Sequence, residues 1–484
     1  MTGAINKNTS LFILLGILFI VSVMTAAYTE QFLFAAIPFV AVLVYIGWQN
    51  RNLVFLLLLF TLPLSFEYNF SPNLGTDVPD EVLMLLVAGV FIAYWVYSPA
   101  AISAATLRHP LLVLLLASLV WMTTTVLFST EPVVSLKFLL AKCWYIAAFV
   151  LAPLFIFKEK KFIRTAVVTI TASMLLITLV ILVKHSADSF RFASINEAAA
   201  PFFRNHVNYS AMLVCLIPVL VAFLNGSKTR EQKIVIIAAI LVALIALFFS
   251  YARGAWVALL VGGIAYWMIK KRTLLYGYVL AIIIAIAALF WLKNDERYLK
   301  YASDYNTTIF HTDFGEHLVA TYQLKDVSTA ERFYRRIAGV RMIKDNWLTG
   351  YGPNTFYDNY ADYTVPLFKT WVSNNTDHST VHNYFLLTAI EQGLPGLIFL
   401  LILCGAMLYY AQYLYHRISD NFYRTTAITT GIIISMILVV NLLSDLIETD
   451  KIGSLFFLCL ATLVVTDINT RKRSNSSSDI QRIS

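Results

Sequence analysis

Two stretches of this chain set a polar, chemically capable side chain at the mouth of an apolar run. VHNYFLLTAIEQGLPG, residues 381–396, opens an apolar helix with His382 and Asn383. A helix N-terminus favours neutral imidazole, and a neutral His beside water is suited to take a proton from an attacking hydroxyl. Residue type alone favours the blander role, a polar cap at a membrane interface. SYARGAW, residues 250–256, puts Arg253 where two apolar runs meet. A tight turn there needs only Gly254. The arginine either snorkels to lipid headgroups or is a fixed cation that grips a phosphate through paired N–H donors. Both readings stay open at this point.

A third stretch, STAERFYRRIAGVRMIKDNW at 328–347, has Ser328 and Glu331 at capping-box spacing and predicts a helix that starts there. Phe333, Ile337 and Val340 fall on one face, and Glu331 can pair with Arg335 at i,i+4. Arg332, Arg335 and Arg336 form a basic side whose usual fate is solvation. After it, Gly350, Gly352 and Pro353 end the helix in a turn. The aromatic residues Phe356, Tyr357, Tyr360 and Tyr363 read mainly as the small core of a long loop. Arg204 and Asn208 precede another apolar run, Lys142 lies one turn inside a span, and Asp445, Glu448 and Asp450 crowd a late turn. Charges at membrane boundaries are functional candidates by default. Asp377, His378 and His382 make only a weak metal signal, because two His at i,i+4 lack the HExxH context. The chain has no nucleotide-binding fingerprint, and its basic balance is read as membrane orientation rather than nucleic-acid binding.

Positioning these residues falls to membrane helices. Of 484 residues, 59% are hydrophobic and 13% charged, against roughly a quarter charged in soluble domains. The fold class is therefore an all-α polytopic membrane protein. Spans are expected at 11–28, 32–48, 53–66, 82–98, 111–128, 139–157, 165–183, 209–225, 234–250, 254–269, 273–292, 382–412, 425–443 and 452–466, fourteen in all. The first reads as a retained span rather than a cleaved leader. With both termini cytoplasmic, the inner segments hold nineteen Lys/Arg and the short outer loops six, as the positive-inside rule asks. The expected organisation is a membrane bundle over 1–292, a large external loop with short helices over 293–381, membrane spans over 382–466 and a disordered cytoplasmic tail over 467–484. The four cysteines fit neither a disulfide framework nor a zinc site.

The order of SYARGAW, then ERFYRR with DNWLTGYGPNTF, then HNYFLLTAIEQGLPG resembles the O-antigen ligase and O-antigen polymerase superfamily, most densely between residues 201 and 395. The resemblance implies an inner-membrane glycosyltransferase of lipopolysaccharide biosynthesis with its site facing the periplasm. Its donor would be a glycan on undecaprenyl diphosphate and its acceptor a lipid A-core sugar or another glycan, with membrane lipid as the only other partner. It implies His382, Arg253 and Arg332 as catalytic residues. Arg253, Arg332 and Arg204 would hold the diphosphate, with support from Asn383, Asn208, Lys142 and Arg336. Arginines that carry the leaving charge make a metal or other cofactor unnecessary, and attack from the far face inverts the anomeric carbon. The family departs here in Ala252, where it more often has Ser, and in the span count. A polymerase, a protein O-oligosaccharyltransferase and a non-enzymatic transporter or flippase are the competing readings.

Overall fold

A computed structural model of the protein describes residues 7–29, 37–71, 74–294, 297, 327–365 and 379–483. Within the described residues each expected span lies chiefly on helix, but the count of fourteen is not established. Ten of the described helices are long and apolar enough to cross a membrane. The segments Gly16–Ala26, Val40–Gln49 and Arg51–Leu64 are apolar but shorter, and Arg253–Lys271 is a further helix. One feature was not expected: an antiparallel hairpin, Phe66–Ser71 with Leu74–Val78, follows the third of these helices. The last helix runs Asp450–Ile483, and so continues through the tail expected to lack structure.

Helix Asn421–Leu443 forms the centre of the bundle. It packs against Arg253–Lys271, Tyr384–Arg417, His206–Gly226 and the last helix, and two thirds of its apolar window is buried. Leu274–Lys293 lies at the opposite extreme, with Leu274 its one buried residue. Its apolar side chains face outward, as lipid contact requires.

The expected single span 382–412 is broken. Helix Tyr384–Arg417 has Gly393 at φ 69°, ψ 179°. The cause is local. Pro395 has no N–H to give, and its ring excludes the carbonyl four residues earlier. Carbonyls freed inside a membrane protein need partners, and the segment after the loop helix supplies them. Tyr351 N donates to Ile390 O at 3.1 Å and Gly352 N to Glu391 O at 2.9 Å. Trp121 Nε1 donates to Gln392 O at 2.9 Å, and Leu394 N returns a bond to Trp347 O at 2.7 Å. The buried Glu391 carboxylate accepts from Phe356 N at 3.3 Å. The loop is thereby bonded to a half-helix, residues 384–392.

This contact requires glycine on both sides. A Cβ on Gly393 would stand 2.1 Å from Leu348 O, and one on Gly350 (φ 67°) 2.5 Å from Ile390 O. Gly393→Ala combines that overlap with a left-handed φ. It is expected to cost more than about 2 kcal/mol of stability. Thermal unfolding of the detergent-purified protein measures this; an unchanged melting temperature would remove the break from the architecture.

Candidate functional site

The loop helix Val327–Asp345 lies across the start of the half-helix. Its buried face is Ala330, Tyr334, Ala338 and Met342, one residue every four. The expected face holds in part: Phe333 and Ile337 are half-buried against that core, but Val340 is exposed. The reason lies in what the helix meets. It packs on the loop aromatics and on Val381 and Ile390, a contact that helical periodicity does not specify. Glu331 and Arg335 pair at 3.5 Å as their spacing predicts, and both are buried. Tyr351, Phe356 and Tyr360 are buried in the loop core, with Tyr357 and Tyr363 packed against it.

Arg336 reaches from this helix to the half-helix. Its Nη2 donates to His382 O at 3.0 Å and to Leu442 O at 3.4 Å. Asn383 does two things. Its Oδ1 accepts from Leu386 N at 3.0 Å, which caps the half-helix. Its Nδ2 donates to Leu442 O at 3.1 Å. Leu442 ends the central helix, so one loop arginine and one cap residue hold the two helix ends together. Tyr384 N donates to Ser444 O at 3.0 Å and completes the junction.

His382 stands at φ 50°, a left-handed conformation uncommon outside Gly, Asn and Asp, and common at functional sites. Its Nδ1 faces Asp445 Oδ1 at 4.0 Å. The other Asp445 oxygen accepts from Thr380 Oγ1 at 2.5 Å, and Thr380 Oγ1 in turn accepts from His382 N at 3.2 Å. Thr380 thus ties the His382 backbone to the carboxylate that the imidazole faces. Burial, then the fields of Arg332, Arg335 and Arg336, push the His382 pKa down to about 3. The ring is neutral at physiological pH. Burial raises the Asp445 carboxyl above the usual aspartate range, opposed by the Thr380 bond and Arg332, with Glu448 adding to the rise. Burial and the neighbouring Arg332 lower the Arg336 pKa, from a value high enough that it stays charged.

Arg253 begins helix Arg253–Lys271. A Cβ on the adjacent Gly254 would stand 3.1 Å from Leu443 Cδ1, which places Arg253 at the same end of the central helix. Lys142 Nζ donates to Glu448 Oε2 at 2.8 Å, three residues past Asp445, and also lines a small cleft with Tyr384, Thr388 and Gln392. Arg204 is engaged otherwise: it pairs with Glu67 of the hairpin at 2.8 Å through a largely exposed side chain. Asn208 sits on the first turn of His206–Gly226 with its Oδ1 buried and without a hydrogen-bond partner. Asp377 and His378 lie outside the described residues. Asp445 and Glu448 were visible in sequence as crowded acids. Their pairing with His382 and Lys142 was not, because it is made across a turn 63 residues downstream of the histidine.

The O-antigen ligase family model matches residues 237–401, which contain Arg253, Arg332, Arg336, His382 and Asn383 but not Lys142, Arg204 or Asp445. An O-antigen ligase of Salmonella typhimurium (strain LT2) is 26% identical over 219 residues. Both matches support the O-antigen ligase superfamily. The aligned part covers 44% of this chain and about half, 49%, of that relative. These are likenesses over part of the chain, in a protein with ten helices long and apolar enough to cross a membrane among the described residues.

The cap at Asn383 yields a direct test. Asn383→Ala removes the half-helix cap and the link to Leu442, at a cost of about 1–2 kcal/mol. Asn383→Asp keeps the cap alone and is expected to lose less. Chemical unfolding of both variants in detergent ranks the two bonds; equal losses would show that the cap contributes nothing, and an unchanged Asn383→Asp that the link to Leu442 contributes nothing.

Proposed function

We propose that the protein transfers a glycan from undecaprenyl diphosphate to an acceptor hydroxyl, as an O-antigen ligase acting at the periplasmic face of the inner membrane. The observation that carries this reading is the convergence of His382, held by Asp445, with the loop arginines and Arg253 at one end of the bundle.

The chemistry follows from that arrangement. Breaking the sugar–phosphate bond leaves negative charge on the diphosphate, and preorganised arginines stabilise it as it develops. Arg332 and Arg253 are the donor-facing cations. Arg336 holds the His382 backbone instead, so its part is to position the base. Lys142 joins through Glu448. Arg204, paired with Glu67, is a weaker claimant to the diphosphate. The acceptor O–H gives its proton to His382 as its oxygen attacks the anomeric carbon opposite the leaving diphosphate. A single displacement of this kind inverts that centre. The charge work is done by arginine, so neither step calls on a metal ion; activity lost in a chelator and restored by a divalent ion would overturn this.

A base with a pKa near 3 is a weak one, and the donor itself corrects that. Burial holds the value down, and three arginine fields add to it. A bound diphosphate offsets them, and the imidazole regains basicity once the leaving group is in place. Two consequences are measurable. His382→Ala lowers the transfer rate by about 10²–10⁴-fold at normal membrane abundance. In the pH profile of kcat/KM, wild type keeps its base neutral well below pH 6. Arg332→Gln removes a cation, raises the His382 pKa towards its ordinary 6.5, and moves the acid limb to higher pH. An acid limb that does not move in Arg332→Gln separates His382 from these arginines.

Ligase is preferred within the superfamily because the matching relative bears that name. A polymerase would use a second lipid-linked glycan as acceptor, and a protein O-oligosaccharyltransferase a Ser, Thr or Tyr hydroxyl. Deletion separates the first two: loss of a ligase leaves long lipid-linked polymer, and loss of a polymerase leaves single repeats on the acceptor. The break at Gly393 favours a second class, since transporters build their sites on interrupted helices. Transfer of labelled glycan by the detergent-purified protein, where no membrane remains to be crossed, decides for the enzyme.

A further inference from the structure

The segment between helices Lys160–Ala187 and His206–Gly226 is clamped to the turn that carries Arg253. Tyr251 Oη donates to Phe190 O at 2.7 Å. Phe190 stacks on Phe249 with ring centroids 4.2 Å apart, and His185 Nε2 bonds Arg191 O at 2.9 Å. Phe190 and Tyr251 both have φ 55°. Bulky residues rarely adopt this conformation, and it persists only where the surroundings impose it. The clamp presents three half-buried rings at the bundle surface. Phe192 stands nearly perpendicular to Tyr251 at 5.4 Å and to His206 at 6.3 Å.

His206 is also oriented. Asn196 Oδ1 accepts from His206 N at 2.9 Å and lies 2.8 Å from His206 Nδ1. The backbone bond identifies the Asn196 atom as oxygen, so Nδ1 carries the proton. Tyr251 is two residues from Arg253, and the Phe203 ring of the same segment lies 5.4 Å from Lys451 Nζ, just past the turn of Asp445 and Glu448. The rings therefore lie on the same side of the bundle as Arg253 and the turn of Asp445 and Glu448. Aromatic faces set among oriented amide and imidazole groups match a sugar ring, which has apolar C–H faces and a girdle of hydroxyls.

The geometry points to Phe192, Tyr251 and His206 as a saccharide subsite that takes the sugar next to the donor diphosphate and so selects which glycan is transferred. This assignment rests on the proposed glycosyl transfer. It is separable from it, because the ring system can be altered without touching Arg253, Arg332 or His382.

The test uses the full-length protein in detergent and two probes. One is the lipid-linked glycan extracted from a deletion strain, the other undecaprenyl diphosphate without sugar, used as an inhibitor. Phe192→Leu keeps apolar volume and removes the π face; Phe192→Trp keeps it. Phe192→Leu is expected to raise KM for the glycan donor about fivefold, the worth of one stacked aromatic contact. Inhibition by the sugar-free diphosphate should be unchanged and Phe192→Trp should stay near wild type. The subsite is overturned if Phe192→Leu leaves KM alone, if KM and the inhibition constant rise together, or if the Trp variant behaves like the Leu variant. A wild-type protein that transfers nothing would instead overturn the glycosyl-transfer reading.

Discussion

The candidate site depends on an exchange of backbone hydrogen bonds between a broken helix and a loop. Once Gly393 and Pro395 interrupt the helix, the carbonyls of Ile390, Glu391 and Gln392 must find donors at membrane depth, where water offers none. They find Tyr351 N, Gly352 N and Trp121 Nε1. A net protein hydrogen bond is worth about 1 kcal/mol, but leaving a buried carbonyl unmade costs more. The joint is therefore not optional: the break cannot form without the loop, and the loop segment has no other place for its N–H groups. It makes residues 384–392 a rigid continuation of the external segment, and His382 sits at the free end of that piece.

The same end gathers charge in an order that follows from the packing. Arg335 is neutralised by Glu331 inside the loop helix, and Lys142 by Glu448. Arg336 directs its hydrogen bonds to two neutral carbonyls and so keeps its full charge close to the imidazole. The His382 ring stays neutral, chiefly because it is buried, with the fields of Arg332, Arg335 and Arg336 adding to that. A structural histidine would gain from one carboxylate and no surplus of cations. Under the proposed transfer, a base that must stay unprotonated until an anionic donor arrives would benefit from this arrangement, and the surplus of positive charge would serve the same step.

Much of this was legible in sequence because it obeys local rules. Apolar runs located the helices, and i,i+4 spacing found the Glu331–Arg335 pair. Asn383, the polar residue at the mouth of its apolar run, closes the helix end. The rest depends on partners distant in the chain. No periodicity says that Arg336 rather than Arg332 would bond the His382 carbonyl, for the two lie a turn apart on one face. Nor does it say that Arg204 would be drawn to Glu67 in a hairpin, since the hairpin itself lies where a helix end was expected. The break at Gly393 had its signal in QGLPG, but glycine and proline are both tolerated inside membrane helices. Their effect was decided by whether a donor strand lay alongside.

The turn at residues 444–448 joins these separate facts. Ser444 O holds Tyr384 N, Asp445 faces His382, and Glu448 holds Lys142. Ile447 N is fixed in turn by the buried Asn441 Oδ1 at 2.9 Å. The turn follows directly from the central helix, the most widely packed element of the bundle, so its acids inherit that helix's rigidity. The cations come from outside: Arg332 and Arg336 on the loop helix, Arg253 on a neighbouring turn, Lys142 on a flanking span. An anion that binds among them draws loop, turn and span towards one fixed acidic turn. Arg332 and Arg336 reach His382 through the loop helix, and that helix packs on the half-helix, so in the proposed transfer donor binding and the placement of the base would be mechanically linked.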